Sequence, residues 1–199
     1  QSAIIVTEIV ANNVGDDNFE YFEVHNTSAA PVDLAAEGYS FAYSYVDSDD
    51  RSRDVPLSVE EPLVLAPGET AVLWLSYTSA NGAVDSSART VDEFRDHHGV
   101  DAGVQVARVT GQAGMANGGD RGIRVLRGEA LTSWSHAPKD SMGEDLAVHF
   151  RVPEEASKLS LDVFGQQAER SPGVVVPEAL QPGAPEDGEE EPAEPEPTE

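Results

Sequence analysis

IIVTEIVANNVGDDNFEYFEVHNTSAAPVDL, residues 4–34, is the stretch whose reading decides the fold. Ile5, Thr7 and Ile9 alternate with Ile4, Val6, Glu8 and Val10, so branched residues fill nearly every position. Branched and aromatic runs bounded by Asn, Gly and Asp clusters are strand signals. An acidic loop follows, and Phe19–His25 is a second such run. In it Phe22 and Val24 face one way, and Tyr21, Glu23 and His25 the other, because side chains alternate along a strand. The run ends at Asn26 and returns through Pro31 to Leu34.

Working outward, Tyr39, Phe41, Tyr43 and Tyr45 alternate with small residues, the clearest period of two in the chain. That face is either a core face or an aromatic platform for a ligand. Asp47–Asp54 has no hydrophobic residue and reads as a surface loop. Leu63–Leu65 makes a short strand, Ala66–Glu69 a turn and Thr70–Tyr77 a long buried strand. Val91–His98 is the one convincing helix, with Thr90 and Glu93 as a capping box and Gly99 as its stop. It is expected to plug one end of the sandwich. Val104–Val109 returns to strand, and Gly111–Gly122 is a glycine-rich loop. Arg121–Arg127 and Glu129–His136 form a hairpin turning at Gly128. Strands are expected again over Asp145–Val152 and around Leu159, Leu161 and Val163.

A family resemblance rests on these same residues. Ile5-x-x-Glu8-Ile9, Glu20–Asn26, Pro31–Leu34, Leu63–Gly68 and Ala71–Leu75 resemble the lamin-tail domain over about residues 4–77. A looser likeness, through Glu93–Gly99 and Gly114–Gly118, extends to about residue 176 and is similar to a secreted bacterial subgroup. The resemblance implies an all-β fold, an immunoglobulin-like antiparallel β-sandwich with one short helix. It also implies a binding or tethering module without catalytic residues, accessory to a calcineurin-like phosphoesterase or other hydrolase domain. The expected organisation is a domain over residues 1–180 and an acidic Pro/Glu-rich tail or linker over residues 181–199.

Charge excludes several partners. The chain has 37 acidic and 12 basic residues, a net charge of −25. Gln181–Glu199 accounts for eight of the acids and holds five prolines, and the remainder is acidic as well. Nucleic-acid backbones require Lys and Arg, and anionic membrane surfaces do too, so neither is an expected partner. A protein or cell-surface component is expected instead, with the isolated domain monomeric. No apolar run is long enough to span a bilayer. The absence of cysteine excludes disulfides and thiolate metal sites. A first residue other than Met fits a processed terminus or a piece excised from a longer chain, and the setting expected is extracellular or cell-surface.

No HExxH, GxSxG, P-loop or GxGxxG occurs. Asp96-His97-His98 satisfies the Asp-x-His element of calcineurin-like phosphoesterases, but the rest of that signature is missing. The alternative function is therefore a metal-dependent phosphoesterase or nuclease acting through Asp96, His97 and His98. Helix-end histidines favoured by the C-terminal dipole are the simpler reading. Glu8 and Glu23 are strand carboxylates that match family positions. No cofactor is expected, save that Asp47, Asp49 and Asp50 offer oxygen ligands of the kind Ca²⁺ takes. Asp16 and Asp17 offer the same, and neither loop has EF-hand spacing. Asn26-Thr27-Ser28 is a formal glycosylation sequon that a turn alone explains.

Overall fold

The computed structural model of the chain describes residues 2–182. All but the first two residues of the acidic tail lie outside that range. β1 (Ile4–Val10) and β2 (Tyr21–Asn26) pair antiparallel, with Glu8 opposite Glu23 and a register shift between Val6 and Glu8. Every residue of both strands is buried, so both faces of this pair are covered. Chain order continues with β3 (Val32–Asp33), β4 (Tyr39–Tyr45), β5 (Val55–Val59), β6 (Val64–Leu65) and β7 (Thr70–Leu75). The helix α1 (Val91–His98) precedes β8 (Gln105–Thr110), β9 (Arg121–Arg127), β10 (Ala130–Ala137), β11 (Leu146–Arg151) and β12 (Asp162–Glu169).

Ten strands join in the order β10-β9-β4-β5-β8-β7-β2-β1-β11-β12, and β3 pairs with β6 separately. The ladder folds back on itself at the β5–β8 junction, which is only two residue pairs wide. The result is an all-β, immunoglobulin-like sandwich, antiparallel except for β7 and β8. Ser133 and Ser135 of β10 donate to the carbonyls of Ile4 and Val6 of β1, closing the structure almost into a barrel. Between the halves lies the main core, in which Ile4, Val24, Leu73 and Val148 meet Phe41, Tyr43, Ile123 and Val125. Phe22 and Phe41 touch across it at 5.5 Å between ring centres. Each such side chain contributes about 1.5–3 kcal/mol by leaving water. The Tyr39–Tyr45 alternation is thus resolved: Tyr39, Phe41 and Tyr43 are core residues.

A second cluster lies on the outer face of β1, β2 and β7. It joins Val10, Tyr21, Val72 and Trp74 to Phe94 of the helix. Both sides of the capping box form, and Gly99 ends the helix at φ 70°. The helix does not plug an end of the sandwich; it covers this outer face, because Tyr21 and Trp74 present aromatic surface there. It also serves as the connection between the parallel strands β7 and β8, since parallel neighbours need a crossover of this length.

Two glycines are fixed by close approach. A β-carbon on Gly111 would lie 2.4 Å from the Pro56 carbonyl oxygen, at φ +114°. One on Gly173 would lie 2.4 Å from Val104 Cγ1, at φ +82°. Alanine fits at neither position without moving a neighbour. Asn26, the sequon residue, is fully buried, and its amide donates to the carbonyls of Ala30, Leu65 and Ala66. It organises the turn and offers no surface for a glycan in the folded chain. Among the described residues no helix is long and apolar enough to cross a membrane.

Candidate functional site

Three groups of polar side chains stand out against this frame. The first lies at the C-terminal end of α1. Phe94 and His98 are one turn apart and face the sheet together, His98 lying 4.9 Å from the Tyr21 ring. His98 Nε2 donates to the Phe19 carbonyl at 2.8 Å, which leaves Nδ1 as the bare ring nitrogen. That Nδ1 is buried and has no hydrogen-bond partner. Burial pushes the His98 imidazole down to about 3, so it is neutral at ordinary pH. His97 stacks on Phe19 at 4.5 Å and shares a 2.8 Å hydrogen bond between its Nε2 and Asp145 Oδ1.

Asp145 sits immediately before β11 with φ 54°, a left-handed conformation that Asp tolerates. Its N–H donates to the Asn12 carbonyl, and its Oδ1 also accepts from Asn13 Nδ2 at 3.2 Å. Arg170 donates to the backbone carbonyls of Asp145 and His97 and lies 3.7 Å from Asp145 Oδ2. Burial pushes the Asp145 carboxyl up, but His97, Asn13 and Arg170 outweigh it and hold the group below the usual carboxylate range. Each of His97, His98 and Asp145 brings a ligand atom within 4.8 Å of the other two. Among the described residues no other group of three or more His, Asp or Glu side chains converges so closely.

The second group is buried under a strap formed by Ser171–Val174. Glu8 is bonded by the Tyr21 hydroxyl and accepts from the Ser171 N–H and hydroxyl at 2.8 and 2.9 Å. His149 Nδ1 lies 3.3 Å from the same carboxylate. Glu23 accepts from Thr7 at 2.5 Å and from the Gly173 N–H at 2.8 Å. The bulge after Val6 turns Thr7 to the side of Glu23. Burial, then the neighbouring Glu8, raises the Glu23 carboxyl to about 8. Both acids are enclosed and paired within the chain, so they hold the strap rather than meet a substrate.

The third group lies at the loop end of the sandwich. A polar concavity of about 330 Å³ opens between Asp17, Tyr43, Tyr45, Tyr77, Gln112 and Arg121. At its floor Glu20 is buried and raised by desolvation to about 8. Its Oε1 accepts from the Met115 N–H at 2.8 Å, and its Oε2 lies 2.8 Å from the Tyr77 hydroxyl. That hydroxyl in turn reaches the Asp17 carbonyl at 3.2 Å. Neutral Glu20 therefore donates to Tyr77, and Tyr77 to Asp17, with every partner satisfied. The Arg121 guanidinium lies over the Tyr45 ring at 4.6 Å and pairs with Asp47 at 3.1 Å.

Of the residues singled out from the sequence, His97 and His98 share one group and Glu8 and Glu23 another, whereas the acidic-loop carboxylates are dispersed. Asp47 serves Arg121, Asp50 caps a short 3-10 turn through Ser52, and Asp49 is exposed. The hydrogen bonds from Ser52 hold the Asp50 carboxyl below its ordinary range. These three carboxylates do not gather their oxygens into one group. Asp96 is exposed and is not part of the histidine cluster. The partner that His97 finds is Asp145, 48 residues away. No local pattern marks Asp145; its only sequence signal is its place just ahead of an apolar strand. Glu20 carries no such signal either, because a carboxylate beside an aromatic strand reads as solvated until the Met115 loop closes over it. No protein-family model matches the chain, and no curated protein is significantly similar to it.

Proposed function

We propose that the chain is a non-catalytic binding or tethering module, and that its ligand engages the loop end of the sandwich. The observation that carries this reading is the concavity edged by Tyr45, Tyr77 and Arg121. Tyrosine gives broad apolar contact at low entropy cost with a polar tip, and arginine gives directed hydrogen bonds; both residue types are enriched where binding energy concentrates. Loops at the ends of a rigid sandwich are where such scaffolds carry recognition. The resemblance to lamin-tail domains supports the same reading, with the module exported from a bacterium and accessory to a hydrolase beyond the acidic linker. The partner is a protein or cell-surface component with a basic face, since the chain carries a net charge of −25.

Two measurements test this. The isolated chain is expected to give no turnover of phosphate mono- or diesters with Mn²⁺, Mg²⁺, Zn²⁺ or Ca²⁺. Hydrolysis that disappears in His97→Ala or Asp145→Ala would establish the phosphoesterase alternative instead. In a panel of immobilised peptides, basic aromatic sequences are expected to be retained over acidic ones. Tyr45→Ala with Arg121→Ala is expected to weaken that retention about tenfold or more, in line with the loss of a central contact. Retention unchanged by the double substitution would remove the loop end from the proposal.

A further inference from the structure

We infer that His97, His98 and Asp145 bind a divalent first-row transition ion, Zn²⁺ foremost, and that the ion clamps the end of α1 to the start of β11. The ligand set is two imidazoles and a carboxylate, which suits Zn²⁺, Co²⁺ or Ni²⁺; Ca²⁺ and Mg²⁺ prefer shells of oxygen. Their ligand atoms already lie within 4.8 Å of one another. A tetrahedral ion with bonds of about 2.0–2.1 Å holds its ligands roughly 3.3 Å apart. The His97 Nε2 to Asp145 Oδ1 separation of 2.8 Å has to open only slightly to accept it. The ion takes the place of the hydrogen on that edge, and His97 carries its proton on Nδ1.

His98 supplies the independent observation. A buried polar atom without a partner carries a desolvation cost that a native structure normally avoids. His98 is 7 % exposed, and its Nδ1 is buried with nothing to bond. The bond from Nε2 to the Phe19 carbonyl fixes the tautomer so that Nδ1 presents a lone pair. Metal-bound histidines are typically oriented in this way, the second nitrogen donating to a carbonyl or carboxylate. Asn13 performs the corresponding task for Asp145. The His97 and Asp145 side chains are 20 % and 14 % exposed, which gives an ion a route in and leaves a fourth position for water.

Electrostatics are divided. The histidines are the last two residues of the helix, where backbone carbonyls favour a cation. Arg170 opposes a dication, and it lies on the Oδ2 side of Asp145, away from the oxygen that meets His97. Its presence is expected to weaken the affinity for the ion.

The test is calorimetric titration of Zn²⁺ into the chelator-treated chain carrying no histidine tag, with Co²⁺ as a visible probe. One ion per chain, a rise in melting temperature with added Zn²⁺ and the strong visible bands of four-coordinate Co²⁺ are expected. His97→Gln and Asp145→Asn keep a polar group in place and are each expected to weaken binding by at least about tenfold. His136→Gln removes the half-buried histidine beside Asp120 and is expected to leave binding unchanged. Absence of saturable binding overturns the inference. So does binding indifferent to His97→Gln and Asp145→Asn in folded protein, or a weak six-coordinate Co²⁺ spectrum. Metal binding without turnover leaves the binding-module reading intact, so the two proposals fail separately.

Discussion

Trp74→Ala is expected to lower stability by about 3–5 kcal/mol, which for a domain of this size is a fall of roughly 10–15 °C in melting temperature. Trp74 is fully buried on the outer face of the sheet, between Phe19 and Phe94. Its indole N–H donates to the Asn18 carbonyl at 2.9 Å, and the Arg108 guanidinium lies over the ring at 4.2 Å. Alanine leaves a cavity, an unpaired carbonyl and a guanidinium without its ring. The cluster beneath α1 is small, so few neighbours can collapse into the space. Loss of fixed aromatic signals in near-ultraviolet circular dichroism should accompany the change. Trp134, half-buried and outside both clusters, provides the comparison. If Trp134→Ala costs as much, the helix–sheet layer is not the contribution described.

Stability is also expected to fall as pH rises. Glu20 and Glu23 are both raised from 4.5 to about 8 in the folded chain by burial. The folded state therefore binds more protons than the unfolded state between those values. Stability from these groups is complete below the unfolded value and is lost as pH climbs through the folded one. Between about pH 5 and about pH 8 Glu20 alone accounts for a loss on the order of 3 kcal/mol, or roughly 6–12 °C, and Glu23 adds to it in the same direction. Self-repulsion of a strongly acidic chain acts in the same direction. Glu20→Gln separates the two effects. The amide can accept from Met115 and donate to Tyr77 as the neutral acid does, so the fold should persist while the slope with pH diminishes. A melting temperature that holds steady or rises over this interval would contradict the neutral-carboxyl account.

The parts of this fold legible in the sequence were those governed by short-range rules. β1 and β2 follow from branched alternation. α1 follows from its capping box and Gly99, and the β9–β10 hairpin from Gly128, which has φ 61°. What escaped was long-range. β5 carries Pro56, which normally argues against a strand, yet β5 joins the two halves of the ladder. The parallel pairing of β7 and β8 was foreshadowed by the order strand, helix, strand, a pattern that reads as a crossover. Expectation of an antiparallel sandwich obscured it. At the histidine cluster, His97 and His98 were visible as a pair, but their nearest acid in sequence, Asp96, points elsewhere. Only the turn at Asp145, brought in by β11 pairing with β1, completes the group.

The strap over Glu8 and Glu23 has a mechanical meaning for a module that tethers. The described residues end at Pro182, just past Ala179, whose carbonyl accepts from the Val152 N–H at 3.0 Å. Tension applied there first loads that single bond, and then Ser171 and Gly173. These two are bonded to carboxylates on β1 and β2, strands in the interior of the ladder. Load thus reaches inner strands through short bonds shielded from water, and does not begin by unzipping β12 at the rim. Because charging Glu23 alters the bond it accepts from Gly173, resistance to extension should track acidity as well as stretching rate.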